Sequence, residues 1–220
     1  AITNTKFIEA GYNQLRFYQN AQLEDCKFNA NMTIDFGTND VDADFTDCTV
    51  DGSAPLTDII YLGDIVEMGV DVTINSEPLI VEAKVADADG QNAKYYLTLA
   101  EAVNAATTDQ VVTVCANVEL ANTLTIAAGK VVTLDLNGKV VSGVSATAGT
   151  TAVISNKGNL TVKSSVEGGK ITTKALYPDT NWGGEGQLSF PSYANNTVRN
   201  EGTFTLVSGT IENTSAAGGA

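Results

Sequence analysis

Two carboxylates suited to acid–base chemistry and one amide share one position in a repeating pattern. Asn4, Asp25 and Asp47 each stand third in a six-residue stretch that begins and ends with an apolar residue. If these stretches stack about 4.8 Å apart, the carboxylates of Asp25 and Asp47 approach the ~5 Å separation of a retaining glycosidase pair. The alternative is that Asn and Asp bond their own backbone at a corner. The occurrence of both Asn and Asp at this position favours the structural role at a corner over catalysis.

A second group of carboxylates could bind a cation. Asp40, Asp42 and Asp44 alternate along the chain, as oxygen ligands for calcium often do. The calcium loop of an EF-hand needs Gly at its sixth position and Glu at its twelfth, where this chain has Phe45 and Asp51. Ca²⁺ is therefore one interpretation of this run. A solvated acidic edge that discourages strand pairing is the other, and the one favoured.

Aromatic residues concentrate in an insertion at residues 175–196. Long loops on rigid scaffolds often carry binding sites, and flat aromatic faces beside Asn, Asp and Gln suit sugar rings. Alternatively, the aromatics fold down to cover an apolar flank, and the residues support both interpretations equally. The candidate ligand-binding residues are Tyr177, Trp182, Phe190 and Tyr193.

The inventory of reactive side chains argues against an enzyme. The chain has no His, which excludes Ser-His-Asp and Cys-His nucleophile systems and His-ligated metals within it. Its three cysteines have neither a zinc spacing nor a disulfide-rich one. Cys26 and Cys48 share a repeat position and predict a buried thiol ladder rather than a disulfide, because both side chains would point the same way. Cys115 is expected in the core.

The net charge of the chain limits the classes of molecule that it can bind. The net charge is −14, and residues 1–90 carry 17 acidic and 4 basic side chains. Nucleic acid and anionic membrane surfaces require clustered Lys and Arg, so both are excluded as partners, whereas cations and neutral glycans are not. No apolar run approaches the roughly 20 residues of a membrane span.

Internal repeats identify the elements that must position these residues. Residues 2–7, 23–28 and 45–50 superpose at steps of 21 and 22, and residues 156–162 match residues 200–206 at a step of 44. Segments that return in the same order with the same faces inward predict an all-β, parallel solenoid. Asn137-Gly138, which would signal a hairpin elsewhere, is then a corner between two strands.

Two modules follow from local signals. Thr98 and Glu101 form a capping box ahead of helical spacing, which predicts a short helix at 98–107 that closes the core of the second module. The polar stretch before it marks a boundary between an acidic solenoid segment, 1–90, and a second module, 91–220. Residues 54–85 are either further coils or a small β linker domain.

The second module also carries a resemblance. Tyr95-Tyr-Leu-Thr-Leu-Ala-Glu-Ala-Val103, Val132-Thr-Leu-Asp-Leu-Asn-Gly138 and Ile154-Ser-Asn-Lys-Gly-Asn-Leu-Thr-Val162 resemble the pectin lyase-like right-handed parallel β-helix superfamily. More narrowly, they are similar to repeat modules of gut-bacterial surface proteins and phage fibres. The likeness covers about 95–213, while residues 1–53 share only the coil pattern.

The resemblance and the inventory together set the functional expectation. The chain is expected to be a non-catalytic structural or adhesive module, extracellular, on a cell surface or on a virion. Its expected partners are a glycan, a protein receptor or other subunits of a larger assembly, with a trimer implied by the fibre resemblance. The alternative is a polysaccharide lyase or glycoside hydrolase of the β-helix type.

Overall fold

The computed structural model describes residues 1–8, 13–143, 152–173 and 196–214, which are mostly β-strand. The chain divides into two compact units, residues 1–81 and 82–220, and each has its own apolar core. The sequence-predicted boundary at 90/91 falls between two neighbouring strands of the second unit.

The first unit is built from parallel strands that return to the same sheet. Its strands are β1 (Ile2–Thr3), β2 (Lys6–Phe7), β3 (Gln14–Phe17), β4 (Ala21–Glu24), β5 (Lys27–Phe28), β6 (Thr33–Phe36), β7 (Asp42–Thr46), β8 (Thr49–Val50), β9 (Asp71–Ile74) and β10 (Glu77–Pro78). The sheets are β1-β4-β7-β9, β2-β5-β8 and β3-β6, all parallel, with β10 added antiparallel to β9. Ile2 pairs with Leu23 and Leu23 with Phe45, so the predicted steps of 21 and 22 residues are confirmed. We call one passage through consecutive sheets a coil.

The third coil of this unit departs from the pattern. After β8 the chain forms 3-10 helices at Asp51–Ser53 and Leu56–Asp58 and then helix α1 (Leu62–Glu67), which the sequence did not predict. Only Ile60 makes a strand-like contact, a parallel bridge to Ile34 of β6. The segment left open in the sequence, 54–85, therefore contains α1, β9 and β10 in the first unit and the start of β11 in the second.

The second unit repeats the same arrangement. Its strands are β11 (Ala83–Asp87), β12 (Lys94–Tyr96), β13 (Gln110–Val114), β14 (Val118–Leu120), β15 (Leu124–Ile126), β16 (Val131–Asp135), β17 (Val140–Gly143), β18 (Ala152–Asn156), β19 (Asn159–Lys163), β20 (Lys170–Thr173), β21 (Asn196–Asn200), β22 (Thr203–Leu206) and β23 (Thr210–Glu212). The parallel sheets are β13-β16-β19-β22, β14-β17-β20-β23 and β15-β18-β21, while β11 pairs antiparallel with both β13 and β12.

Asn137-Gly138 is a corner, as predicted. It joins β16 and β17, which lie in different sheets, and both residues have positive φ, 49° and 74°. Such angles favour Asn and Gly. The buried carboxylate of Asp135 accepts the N–H of Asn137 at 2.9 Å and that of Ser165 on the next coil at 2.9 Å. The corner is thus stabilised within its own coil and against its neighbour.

Helix α2 (Leu99–Ala105) confirms the predicted capping box. Thr98 Oγ1 accepts the N–H of Glu101 at 3.2 Å, and a Glu101 carboxylate oxygen accepts the N–H of Thr98 at 3.3 Å. Leu99, Ala102 and Val103 are fully buried in the core of the second unit. The helix therefore contributes its apolar face to that core.

Apolar ladders fill the interior of the second unit. The repeat predicts inward positions for Leu134, Leu136, Leu160, Val162 and Leu206, and the first four of these side chains are at most 1% exposed. The same prediction was wrong for Leu206, which is 44% exposed. Among the described strands β22 pairs only with β19, so no described coil covers this side chain.

Candidate functional site: the Tyr18 cleft of the first unit

The predicted acid ladder lies at a left-handed corner. Asn4, Asp25 and Asp47 have φ of 49°, 51° and 51°, and all three are exposed. Their amides link successive coils, since the N–H of Asn4 donates to the carbonyl of Glu24 at 3.0 Å. Asn and Asp tolerate this backbone conformation better than other non-glycine residues. The repeated residue type is therefore explained by backbone geometry.

The predicted calcium ligands make hydrogen bonds between coils. Asp42 accepts from the side-chain amide of Asn20 at 2.9 Å, and Asp44 accepts from the hydroxyl of Thr73 at 2.5 Å. Asp40 lies before β7, at a residue with φ of 55°. Within the described ranges, no group of three or more Asp, Glu, Cys or His side chains is placed to hold a metal ion. Calcium at Asp40, Asp42 and Asp44 stays a prediction.

The predicted aromatic binding residues lie outside the described part of the chain. Tyr177, Trp182, Phe190 and Tyr193 all fall within residues 174–195. The insertion at 175–196 is likewise a prediction from the sequence.

A charged network that sequence reasoning missed lies on β3 and β6. Arg16 and Asp35 are direct partners in the parallel pairing of these strands. Arg16 Nη2 lies 2.6 Å from Asp35 Oδ2 and Arg16 Nε lies 3.0 Å from Asp35 Oδ1, and Gln14 also donates to Asp35. Asp35 is only 6% exposed. The sequence signal that could have identified this pair is the spacing of 19 residues between Arg16 and Asp35, which is close to the length of one coil.

Asp64 approaches this network from α1. Next to Asp35 in β6, Ile34 makes two backbone hydrogen bonds to the following coil. Its N–H donates to Ile59 O at 2.6 Å, and its carbonyl accepts the N–H of Tyr61 at 2.8 Å. The chain then turns into α1, and Asp64 Oδ2 accepts the N–H of Phe36 at 2.8 Å. Burial raises the pKa of Asp64, and the nearby charge of Asp35 adds to the rise. Asp64 is therefore a buried carboxylate that supplies β6 with the hydrogen-bond acceptor that a neighbouring strand would otherwise supply.

Tyr18 extends the network to the surface. Interactions with Asp35 and with Tyr18 raise the pKa of Arg16 above its ordinary value, and the Asp35 hydrogen bond contributes most. The Tyr18 ring lies over Gly37 so closely that a Cβ there would overlap it. Tyr18 nevertheless remains 62% exposed. Its ring is thus held at one face and open at the other.

Beside this ring is a concavity of about 350 Å³, which we call the Tyr18 cleft. This volume suits a small ligand. An exposed aromatic ring, a guanidinium and side-chain amides offer stacking together with hydrogen-bond donors and acceptors, a combination suited to sugar rings. The cleft is lined by Ala1, Ile2, Arg16, Phe17, Tyr18, Gln19, Asn20, Ala21 and Gln22.

Comparisons with family models, curated proteins and solved structures give no significant match to this chain. In the residues that the structure describes, no helix has the length and apolarity needed to cross a membrane.

Proposed function

We propose that both units are right-handed parallel β-helices of the pectin lyase-like kind. The support is the strand register, because strands one coil apart pair in parallel in every sheet of the repeating part. A crossover between parallel strands of one sheet is right-handed in nearly all proteins. The sequence resemblance of residues 95–213 points to the same superfamily.

The proposed function is that of a non-catalytic, extracellular structural and adhesive module, as part of a bacterial surface protein or a phage fibre. The observation that carries it is the in-register ladder, in which Val112, Leu134 and Val162 are buried at paired positions of successive strands. Stacked coils produce rows of outward side chains at a regular spacing of about 4.8 Å. Such a scaffold presents a long surface to a glycan, a receptor or further subunits, including those of a trimer.

The Tyr18 cleft is the proposed glycan contact in the described part of the chain, alongside the aromatic insertion predicted from the sequence. Its ligand is expected to be neutral, because residues 1–90 carry a net charge of −13 and would repel uronic acids and sulfated sugars. Gln19, Gln22 and Arg16 would bond hydroxyl groups while the open face of Tyr18 stacks on a ring.

A glycan array tests this function. The fluorescently labelled chain is compared with Tyr18→Ala and Trp182→Ala, and with Ile80→Ala as the control, because Ile80 is 52% exposed and lies outside the cleft. Binding of a neutral glycan that is lost in Tyr18→Ala and kept in Ile80→Ala supports the cleft. Loss only in Trp182→Ala assigns the contact to the insertion. Binding unaffected by either variant contradicts both sites.

The second candidate function, a polysaccharide lyase or glycoside hydrolase, is favoured by one observation. Asp35 is ion-paired with Arg16, whereas burial raises the pKa of its neighbour Asp64. Two carboxylates in such unequal environments can divide the roles of base and acid. Activity on a panel of neutral and acidic polysaccharides, with and without calcium, that is abolished by Asp35→Asn and by Asp64→Asn would favour the enzyme. Inactivity on the whole panel would exclude it.

A further inference from the structure

Cys26 and Cys48 are neighbours on successive coils of the first unit. They immediately precede β5 and β8, in which Lys27 pairs with Thr49, and the N–H of Thr49 donates to the carbonyl of Cys26 at 2.9 Å. Strands paired in this way lie about 4.8 Å apart. That spacing falls within the Cα separation of roughly 4.4–6.8 Å that a disulfide spans. The backbone therefore brings the two cysteines within bonding range.

The two thiols differ in burial at this corner. Burial raises the pKa of Cys48, and the neighbouring Cys26 thiol adds to the rise. Cys26 is 1% exposed and contacts the carbonyl oxygens of Ile2 and Glu24 at 3.5 and 3.4 Å, while Cys48 is half-buried and contacts that of Leu23 at 3.5 Å. Cys48 is therefore the more accessible of the two cysteines.

We propose that Cys26 and Cys48 form a reversible disulfide between the two coils, with a small-molecule disulfide such as glutathione disulfide as the oxidant. The Cys48 thiolate attacks one glutathione sulfur, which breaks the glutathione disulfide and releases one glutathione. The Cys26 thiolate then attacks the sulfur of Cys48 and releases the second. Two protein thiols lose two electrons, and one glutathione disulfide becomes two molecules of glutathione, which take up the two protons.

Coil geometry makes this bond reversible. The sequence favoured a ladder of thiols because both side chains point the same way, and a disulfide requires their Cβ atoms to come within about 3.8 Å, closer than the coil spacing. The bond therefore forms with local strain, and strained disulfides are more easily reduced. Burial raises the pKa of Cys48, so below that pKa its oxidation should accelerate about tenfold for each pH unit.

Peptide mapping of the full chain tests the proposal. Trypsin cleaves after Lys27, so Cys26 and Cys48 end in different peptides and Cys115 in a third. After incubation with glutathione disulfide and alkylation of the remaining thiols, the expected product joins the Cys26 and Cys48 peptides and is lost on mild reduction. A wild-type chain that retains glutathione on Cys48, or that links either cysteine to Cys115, overturns the proposal.

Three variants separate the steps. Cys26→Ser should accumulate a stable glutathione adduct on Cys48, because the second thiol is missing. Cys48→Ser should leave Cys26 unmodified, and Cys115→Ser should form the bond at the wild-type rate. If glutathione disulfide modifies Cys26 in Cys48→Ser as fast as it modifies the wild-type chain, Cys48 is not the thiol that reacts first. The wild-type map decides the proposal even if a variant fails to fold.

Discussion

Asp64 takes the place of a backbone carbonyl for Phe36. Its Oδ2 accepts the Phe36 N–H at 2.8 Å, at a point where the third coil forms α1 rather than a strand. An unbonded N–H in a buried position would cost about 1–3 kcal/mol, so the carboxylate preserves the edge of β6. The same burial raises the pKa of Asp64.

The first prediction concerns the pH dependence of stability. Because the pKa of Asp64 is higher in the folded than in the unfolded chain, the folded state retains this proton as pH rises above about 4, the ordinary range of Asp. Its contribution to the free energy of unfolding therefore falls as pH rises through the interval between the two pKa values. Asp64→Asn should remove this fall and leave stability at pH 7 equal to or above wild type, measured by urea unfolding at several pH values.

Asp64→Ala is the matched control for the hydrogen bond. It removes the acceptor as well as the charge, so the first unit should lose about 1–3 kcal/mol and the Phe36 amide should exchange faster with deuterium. If Asn and Ala at this position behave alike, the bond to Phe36 contributes nothing measurable.

The second prediction compares two leucines of one ladder, both in register with Val162. Leu134 is 1% exposed and Leu206 is 44% exposed. Leu134→Ala should cost about 2–5 kcal/mol because it leaves a cavity in the core. Leu206→Ala should cost well under half as much, since little apolar surface is buried there. Denaturant unfolding of both variants checks the order, and equal costs would contradict the assigned burial of β22.

The third prediction concerns a buried amide. Asn156 is fully buried, and its Nδ2 donates to Asn200 Oδ1 at 2.7 Å and to Thr203 O at 2.8 Å, while its Oδ1 accepts from Gly158 N–H. Asn156→Ala leaves these groups unbonded and should destabilise the second unit by about 1–3 kcal/mol. Asn200→Ala, at an exposed position of the same ladder, should cost less because water replaces the lost bond. A reversed order in thermal unfolding would rule out this account.

The fourth prediction concerns the support of Tyr18. A Cβ at Gly37 would overlap the Tyr18 ring, so Gly37→Ala should displace the ring while the strand remains paired. The expected result is a changed NMR signal for the Tyr18 ring with a loss in stability of about 1 kcal/mol or less, because the ring is already exposed. Any glycan bound through Tyr18 should also bind more weakly. Unchanged Tyr18 signals would contradict the close contact.

Local signals in the sequence were sufficient for much of the fold. The 21- and 22-residue steps identified strands that pair in register, and the Asn137-Gly138 corner followed from the direction of those strands. The capping box at Thr98 and Glu101 located α2. Each of these features depends on residues adjacent in sequence or separated by one regular repeat, which is why they could be read without a structure.

The candidate site could not be read in this way. α1 interrupts the repeat and has six residues, too few for a clear period. Asp35 faces outward on β6, yet it is buried because Arg16 and Gln14 bond it and Asp64 lies close by. The Tyr18 ring has its position because Gly37 on the next coil lacks a side chain. None of these contacts involves a repeated residue type.

The sequence by itself determined the strand content, the repeat length and the left-handed corners, because turn chemistry and apolar period act over a few residues. The tertiary structure decided which polar side chains are buried and where a cleft opens. Those properties depend on contacts between coils, where residues about 20 positions apart become neighbours and where one irregular coil changes the environment of the others.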